Sequence, residues 1–178
     1  MKLHRILLFL PLFLILSSWT HSQEKKDILI WSSAYKLKWS DFKGKPDPHQ
    51  MQYAQTFYGM EVEKNYVISY EEKVTAYVDR NKSWVKDSTK SSLRHEQLHF
   101  DIAELHARKM RDYLANLAER GLEKRGLLVE KQTIILTDEM HYDQNHYDID
   151  TNHGLNEEKQ KEWEVKVKAE LEKYKFFR

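Results

Sequence analysis

The chain contains no cysteine. Disulfides are therefore excluded, and so is a lipid anchor built on a cysteine after the leader. Proline and glycine are scarce, 3 and 5 among 178 residues, and no repeat or low-complexity segment is present. No apolar run is long enough to span a membrane comfortably. The longest, Ile6 to Leu16, follows a basic start at Lys2 and Arg5 and has the length of a signal-peptide core. Small residues at Thr20 and Ser22 suit a signal peptidase. Residues 1–22 thus read as a signal peptide, residues 23–178 as one domain, and the destination as periplasmic or extracellular. An uncleaved N-terminal anchor is the alternative. Removing residues 1–22 leaves 27 basic and 28 acidic side chains, a charge of −1. No basic surplus marks a nucleic-acid partner, and no stable membrane association is expected after cleavage. Without disulfides, apolar packing must build the core, with a bound metal as a further support.

What is present centres on ten residues, His95-Glu96-Gln97-Leu98-His99-Phe100-Asp101-Ile102-Ala103-Glu104. His-Glu-x-x-His on a helix puts two imidazoles one turn apart, about 40° round the axis, where both reach one metal ion. Glu96 then sits beside the metal, placed to take a proton from water. On a wheel of about 100° per residue, Leu98, Ile102, Leu105, Met110, Tyr113 and Leu117 fall near His95 and His99. Asp101, Glu104, Arg108 and Asp112 fall on the other side and read as solvent-face charges. The two histidines thus lie on the core stripe of an amphipathic helix. Buried histidines need partners. A zinc ion meets that need most simply, and a hydrogen-bonded structural pair is the alternative.

Upstream, Ile28–Trp31 and Lys36–Phe42 read as strands or extended arms, with Leu37, Trp39 and Phe42 as burial candidates. Tyr53–Met60, Glu61–Tyr70 and Lys73–Asp79 read as an antiparallel meander with a hairpin tip at Glu71-Glu72. Val74, Ala76 and Val78 share one face. A serine or threonine among Ser88, Thr89, Ser91 and Ser92 caps the metal helix, which runs to about Arg120 before Gly121. Residues 126–146 read as a helix with Leu128, Gln132, Ile135, Glu139 and Tyr142 in step, and a strand over 129–136 is the alternative. Tyr147 to Gly154 reads as a loop. Asn156 caps a last helix whose stripe is Trp163, Val167 and Leu171. The fold class is α+β: a small antiparallel sheet, the long His-Glu-x-x-His helix, then C-terminal helices.

A catalytic zinc takes three protein ligands and a water. His106 points the right way, but seven residues past His99 it lies roughly 10 Å further along an unbroken helix. It reads as a core residue. The third donor must come from elsewhere, and His141 to Gly154 concentrates three histidines and three aspartates.

Several motifs in order resemble a known family. They are Leu37-x-Trp39-Ser40-Asp41-Phe42-x-Gly44-x-Pro46, Ala54-x-Thr56-x-x-Gly59, Ala76-Tyr77-x-Asp79 with Ser83-Trp84-Val85, and the His95–Glu104 stretch. Tyr147-Asp148-x-x-Thr151-x-His153-Gly154 and Gln160-x-x-Trp163 complete the set. The chain resembles a bacterial domain-of-unknown-function family described as predicted secreted zinc-dependent proteases. The family often has glycine where Leu98 stands. The resemblance implies a zincin-like metallopeptidase fold, and functional roles for Tyr147, Asp148, Thr151 and His153. His153 is favoured as the third zinc ligand, because its neutral imidazole matches the other two and Gly154 lets the backbone approach. Asp148 is the runner-up, as ligand or as the partner that orients a histidine. Tyr147 is a candidate donor to a developing oxyanion.

The expected activity is hydrolysis of an amide in a peptide or protein substrate, with zinc-activated water and Glu96 as general base. A non-catalytic module stapled by zinc, and a zinc amidase acting on cell-wall amides, are the alternatives. The oligomeric state and substrate preference leave no mark on the sequence.

Overall fold

The computed structural model describes residues 27–50, 52–67, 71–117 and 121–178. The expected signal peptide, residues 1–22, lies outside them.

The sheet is built from local alternation. β3 (Tyr58–Asn65) and β4 (Glu71–Asp79) form an antiparallel hairpin, paired from Tyr58 opposite Val78 to Asn65 opposite Glu71. β1 (Ile28–Ile30) pairs antiparallel on the other side of β4, giving the order β1-β4-β3. A separate two-stranded ribbon joins β2 (Ala54–Gln55) to β5 (Trp84–Val85). β3 runs unbroken through Met60 and Glu61, where the sequence reading placed a boundary. Glu71 and Glu72 belong to β4 rather than to a hairpin tip. Val74, Ala76 and Val78 are buried on one face as the alternation requires. Lys36–Phe42 is not a strand: a single 3₁₀ turn, Trp39–Asp41, tucks Leu37 and Phe42 inward.

α1 (Lys90–Asn116) starts at Thr89, whose hydroxyl accepts from the Ser92 N–H. Ala103 and Ala107, one turn apart and fully buried, let this helix approach the sheet closely. Its other side packs through Leu98 and Ile102 on Tyr147, Trp163 and Val167 of the following helices. α1 is therefore covered on both sides, which overturns part of the amphipathic reading. Glu104 and Arg108 are not solvent-face charges but are 2 % and 4 % exposed. Glu104 Oε1 accepts from Arg108 Nε at 2.9 Å and Arg111 Nη1 at 3.0 Å. The arginines also bond the carbonyls of Leu171 and Val74, so their charges are satisfied inside the fold.

α2 spans Leu122–Thr151, and no strand forms over 129–136. It is longer than its sequence pattern suggests and turned differently. The buried stripe is Val129, Leu136, Met140, Gln144, Tyr147 and Thr151, at steps of seven, four, four, three and four. Of the expected stripe, Ile135 and Tyr142 are exposed. Tyr147 to Thr151 are the last turn of this helix, not a loop. Asn152, His153 and Gly154 follow in three successive left-handed conformations, with φ of 47°, 52° and 81°. α3 (Glu157–Lys173) begins at its Asn156 cap and buries Trp163 and Val167 as expected. Among the described residues, no helix is long and apolar enough to cross a membrane.

Candidate metal centre

α1 carries His95 and His99 one turn apart on the side that meets α2. The last turn of α2 brings Asp148 against both. His95 Nε2 stands 3.0 Å from Asp148 Oδ1, His99 Nε2 stands 3.1 Å from the same oxygen, and the two Nε2 atoms are 3.1 Å apart. Both histidines are buried, and the rings meet edge to face at 87°.

Two glutamines set the proton positions. Gln144 donates its amide N–H to the His99 carbonyl at 2.9 Å, so its Oε1 faces His99 Nδ1, at 2.5 Å. Gln160 donates to Glu164 Oε1 and accepts from the Tyr147 hydroxyl, which turns its Oε1 toward His95 Nδ1 at 3.3 Å. Each neutral ring therefore holds its proton on Nδ1 and offers the Nε2 lone pair inward. Two nitrogen lone pairs and a carboxylate oxygen then converge with no donor between them. A proton or a metal ion at that point reconciles them, and two imidazoles with one carboxylate form a donor set that could hold a transition-metal ion. The same demand shows in the titration of the protein alone. Burial opposes the charge on Asp148, yet its bonds to His95 and His99 outweigh it and hold the carboxyl well below the usual range. Burial likewise opposes protonation of His99, and the bond to Asp148 overrides it, raising the pKa.

A cavity of about 180 Å³ opens onto this cluster. Residues 52–56, β2 and its flanks, form one wall, with Tyr58, Ser92, Glu96, Asn145 and His153 around the rest. Glu96 is 4 % exposed and its Oε2 accepts from Thr56 Oγ1 at 2.6 Å, so its carboxylate is held at the cavity wall. Tyr58, on β3, lies parallel to the His99 ring, 5.7 Å between centroids and 9° between planes. Burial, with the Asp148 and Glu96 charges, pushes its phenol up to about 12.

The structure thus brings together His95, His99, Glu96 and Asp148 of the expected site residues. His153 reaches the rim: its Nδ1 is 3.6 Å from Asp148 Oδ1 and its side chain is 51 % exposed. Asp148 holds the place against the two Nε2 atoms that the sequence reading gave first to His153. Tyr147 does not face the cavity. It is fully buried, stacks on His95 at 4.5 Å, and donates its hydroxyl to the His95 carbonyl and Gln160. Its expected role as an oxyanion donor is corrected to that of a buttress. Thr151 closes the helix, donating to the Tyr147 carbonyl. His106, as expected, takes no part: its Nε2 faces Asp143 Oδ2 at 3.0 Å. Sequence reasoning assigned no role to Thr56, Tyr58 or Gln144. For Gln144 a signal existed, since it lies four residues before Asp148 and seven before Thr151 on the buried stripe.

Fold and centre together define an α+β domain with a histidine–carboxylate cluster at the foot of an open cavity. The chain belongs to the family described as "Bacterial protein of unknown function (DUF922)", whose model matches residues 20–154. That span contains every residue of the cluster and ends at Gly154, before α3. No curated protein and no solved structure matches the chain.

Proposed function

We propose that this protein is an exported zinc-dependent hydrolase of the zincin type, a metallopeptidase acting on peptide or protein amides. The observation that carries the reading is the convergence of His95 Nε2, His99 Nε2 and Asp148 Oδ1 within 3.1 Å of one another, beside Glu96 in an open cavity. His95, His99 and Asp148 would hold the zinc, with His153 at the rim beside them. Zinc bound there supplies a Lewis acid that polarises the carbonyl and acidifies water.

The chain's own residues do the rest. Glu96 takes a proton from a water in the cavity, and Thr56 keeps its carboxylate aimed. The water oxygen bonds to the amide carbon, the C–N bond breaks, and Glu96 passes the proton to the leaving nitrogen, giving a carboxylate and an amine. The main chain of residues 52–56 offers an extended peptide a strand to lie along. Export rests on the apolar segment Ile6 to Leu16.

The test is metal analysis of the purified protein lacking residues 1–22, then digestion of a peptide library with and without chelator. Cleavage that chelation abolishes and zinc restores supports the reading. A second reading has its own support, because the cluster ties α1 to α2 and would staple them. Zinc that raises the melting temperature without cleaving peptides or cell-wall amides favours that staple.

A further inference from the structure

We infer that Tyr58 is the catalytic hydrogen-bond donor to the substrate oxygen on which negative charge builds during hydrolysis. The inference rests on the hydrolase reading and goes beyond it by assigning a residue that the motif does not contain.

Attack of water on an amide turns the carbonyl oxygen into an anion. A donor already fixed toward that oxygen, in a site poor in water, is worth far more than one that must reorient. The cavity has few donors left to do this. The Thr56 hydroxyl is spent on Glu96. Ser92 is engaged with Thr89 at the helix cap. Both ring Nδ1 atoms are held by glutamines. The Tyr147 hydroxyl is spent on His95 and Gln160. Tyr53, Gln55, Asn145 and His153 are exposed at the rim, which leaves Gln52, on the β2 side, and Tyr58.

Tyr58 differs on three counts. Its hydroxyl has no hydrogen-bond partner among the described residues, although the residue is half-buried. Its backbone is fixed in the hairpin opposite Val78, a fully buried residue, and its ring lies parallel to the ring of His99. It lines the cavity together with Glu96, His99 and Asp148, so it belongs to the wall around the reacting centre. A phenol keeps its proton at neutral pH and donates without transferring it. The result is an unpaired hydroxyl carried on a fixed ring at the sheet side of the cavity.

The substitution Tyr58→Phe keeps the ring and removes the donor. The zinc-loaded protein without residues 1–22 is assayed on the best-cleaved sequence of a quenched peptide library. The expected result is a fall in kcat on the order of 100-fold, with KM, bound zinc and melting temperature unchanged. Binding of a phosphinic peptide of the same sequence, which places a charged oxygen where the oxyanion forms, should weaken in parallel. That second readout does not depend on turnover. Unchanged kcat and unchanged phosphinate affinity overturn the assignment while leaving the hydrolase reading standing. So does a large kcat loss in His153→Gln with none in Tyr58→Phe, which moves the donor to the rim. A wild-type protein that carries zinc but cleaves neither library peptides nor cell-wall amides overturns the hydrolase reading, and the role of Tyr58 with it.

Discussion

Gln144 grips His99 at two points: its amide N–H donates to the His99 carbonyl and its amide oxygen accepts from the His99 Nδ1–H. One side chain thereby fixes both the helix and the ring, and leaves a single tautomer. The substitution Gln144→Leu keeps the bulk and removes both bonds. Metal affinity should fall by about 10- to 100-fold, the usual cost of losing a partner that orients a ligand. Competition against a chromophoric chelator measures it. An unchanged affinity would mean that the ring is held by packing alone.

Asp148 and His153 compete for the third ligand position, and geometry ranks them. Asp148→Ala should abolish stoichiometric zinc binding. His153→Ala should keep one zinc per chain, because its side chain is half-exposed and 3.6 Å from the Asp148 oxygen. Elemental analysis of the two purified variants decides, and the reverse pattern would restore His153 to the site.

Glu96→Gln should retain zinc and lose most hydrolysis, because the amide cannot accept the proton that the carboxylate takes. Wild-type turnover in that variant would remove Glu96 from the mechanism. The Thr56 bond to Oε2 survives the exchange in one amide orientation, so the fold and the melting temperature should change little.

Gly154 stands where a side chain would be both strained and crowded. Its φ is +81°, and an added Cβ would come within 3.0 Å of His95 Cβ. Gly154→Ala should destabilise the protein by about 1–3 kcal/mol through the left-handed backbone. It should also weaken metal binding, because relief of the clash moves His95. A variant that loses stability but binds zinc as tightly as wild type would uncouple the turn from the site.

The Glu72 carboxylate gives stability an acid limb. Arg125 donates to it at 2.6 and 2.9 Å, which outweighs the opposing effect of burial, and the Tyr66 hydroxyl adds a third bond. Its pKa is therefore lowered in the folded state. A lowered carboxyl contributes stability above its unfolded pKa of about 4.3, and that contribution is lost as pH falls through the lower folded value. Glu72→Gln should thus be less stable than wild type at pH 7, by about 1–3 kcal/mol. The difference should shrink as acid protonates the wild-type carboxyl. Chemical denaturation at pH 7 and again well below pH 4 checks the sign, and a gap that widened in acid would refute it.

The shape of the fold was legible wherever local pattern and packing agreed. The Val74-Ala76-Val78 alternation, the Thr89 and Asn156 caps and the Trp163-Val167 stripe each follow from a few adjacent residues. α2 was misread because its buried face carries Gln144 and Thr151 among apolar residues. Those polar groups are inside because the histidines and the helix backbone bond them, and that cannot be seen in hydrophobic periodicity. Glu104 and Arg108 misled for the same reason: their charges face each other and backbone carbonyls, so burial is tolerable.

Of the candidate site, His95, Glu96 and His99 lie within five residues, and a helix's fixed pitch is enough to set them on one face. That much the amino-acid sequence determined alone. The partner that completes the cluster, the glutamines that hold the ring protons, and the hydroxyls of Thr56 and Tyr58 come from 40 to 65 residues away. Only the packing of α2, α3 and the sheet against α1 decided which of them meet, because no local rule relates the rotation of one helix to that of another.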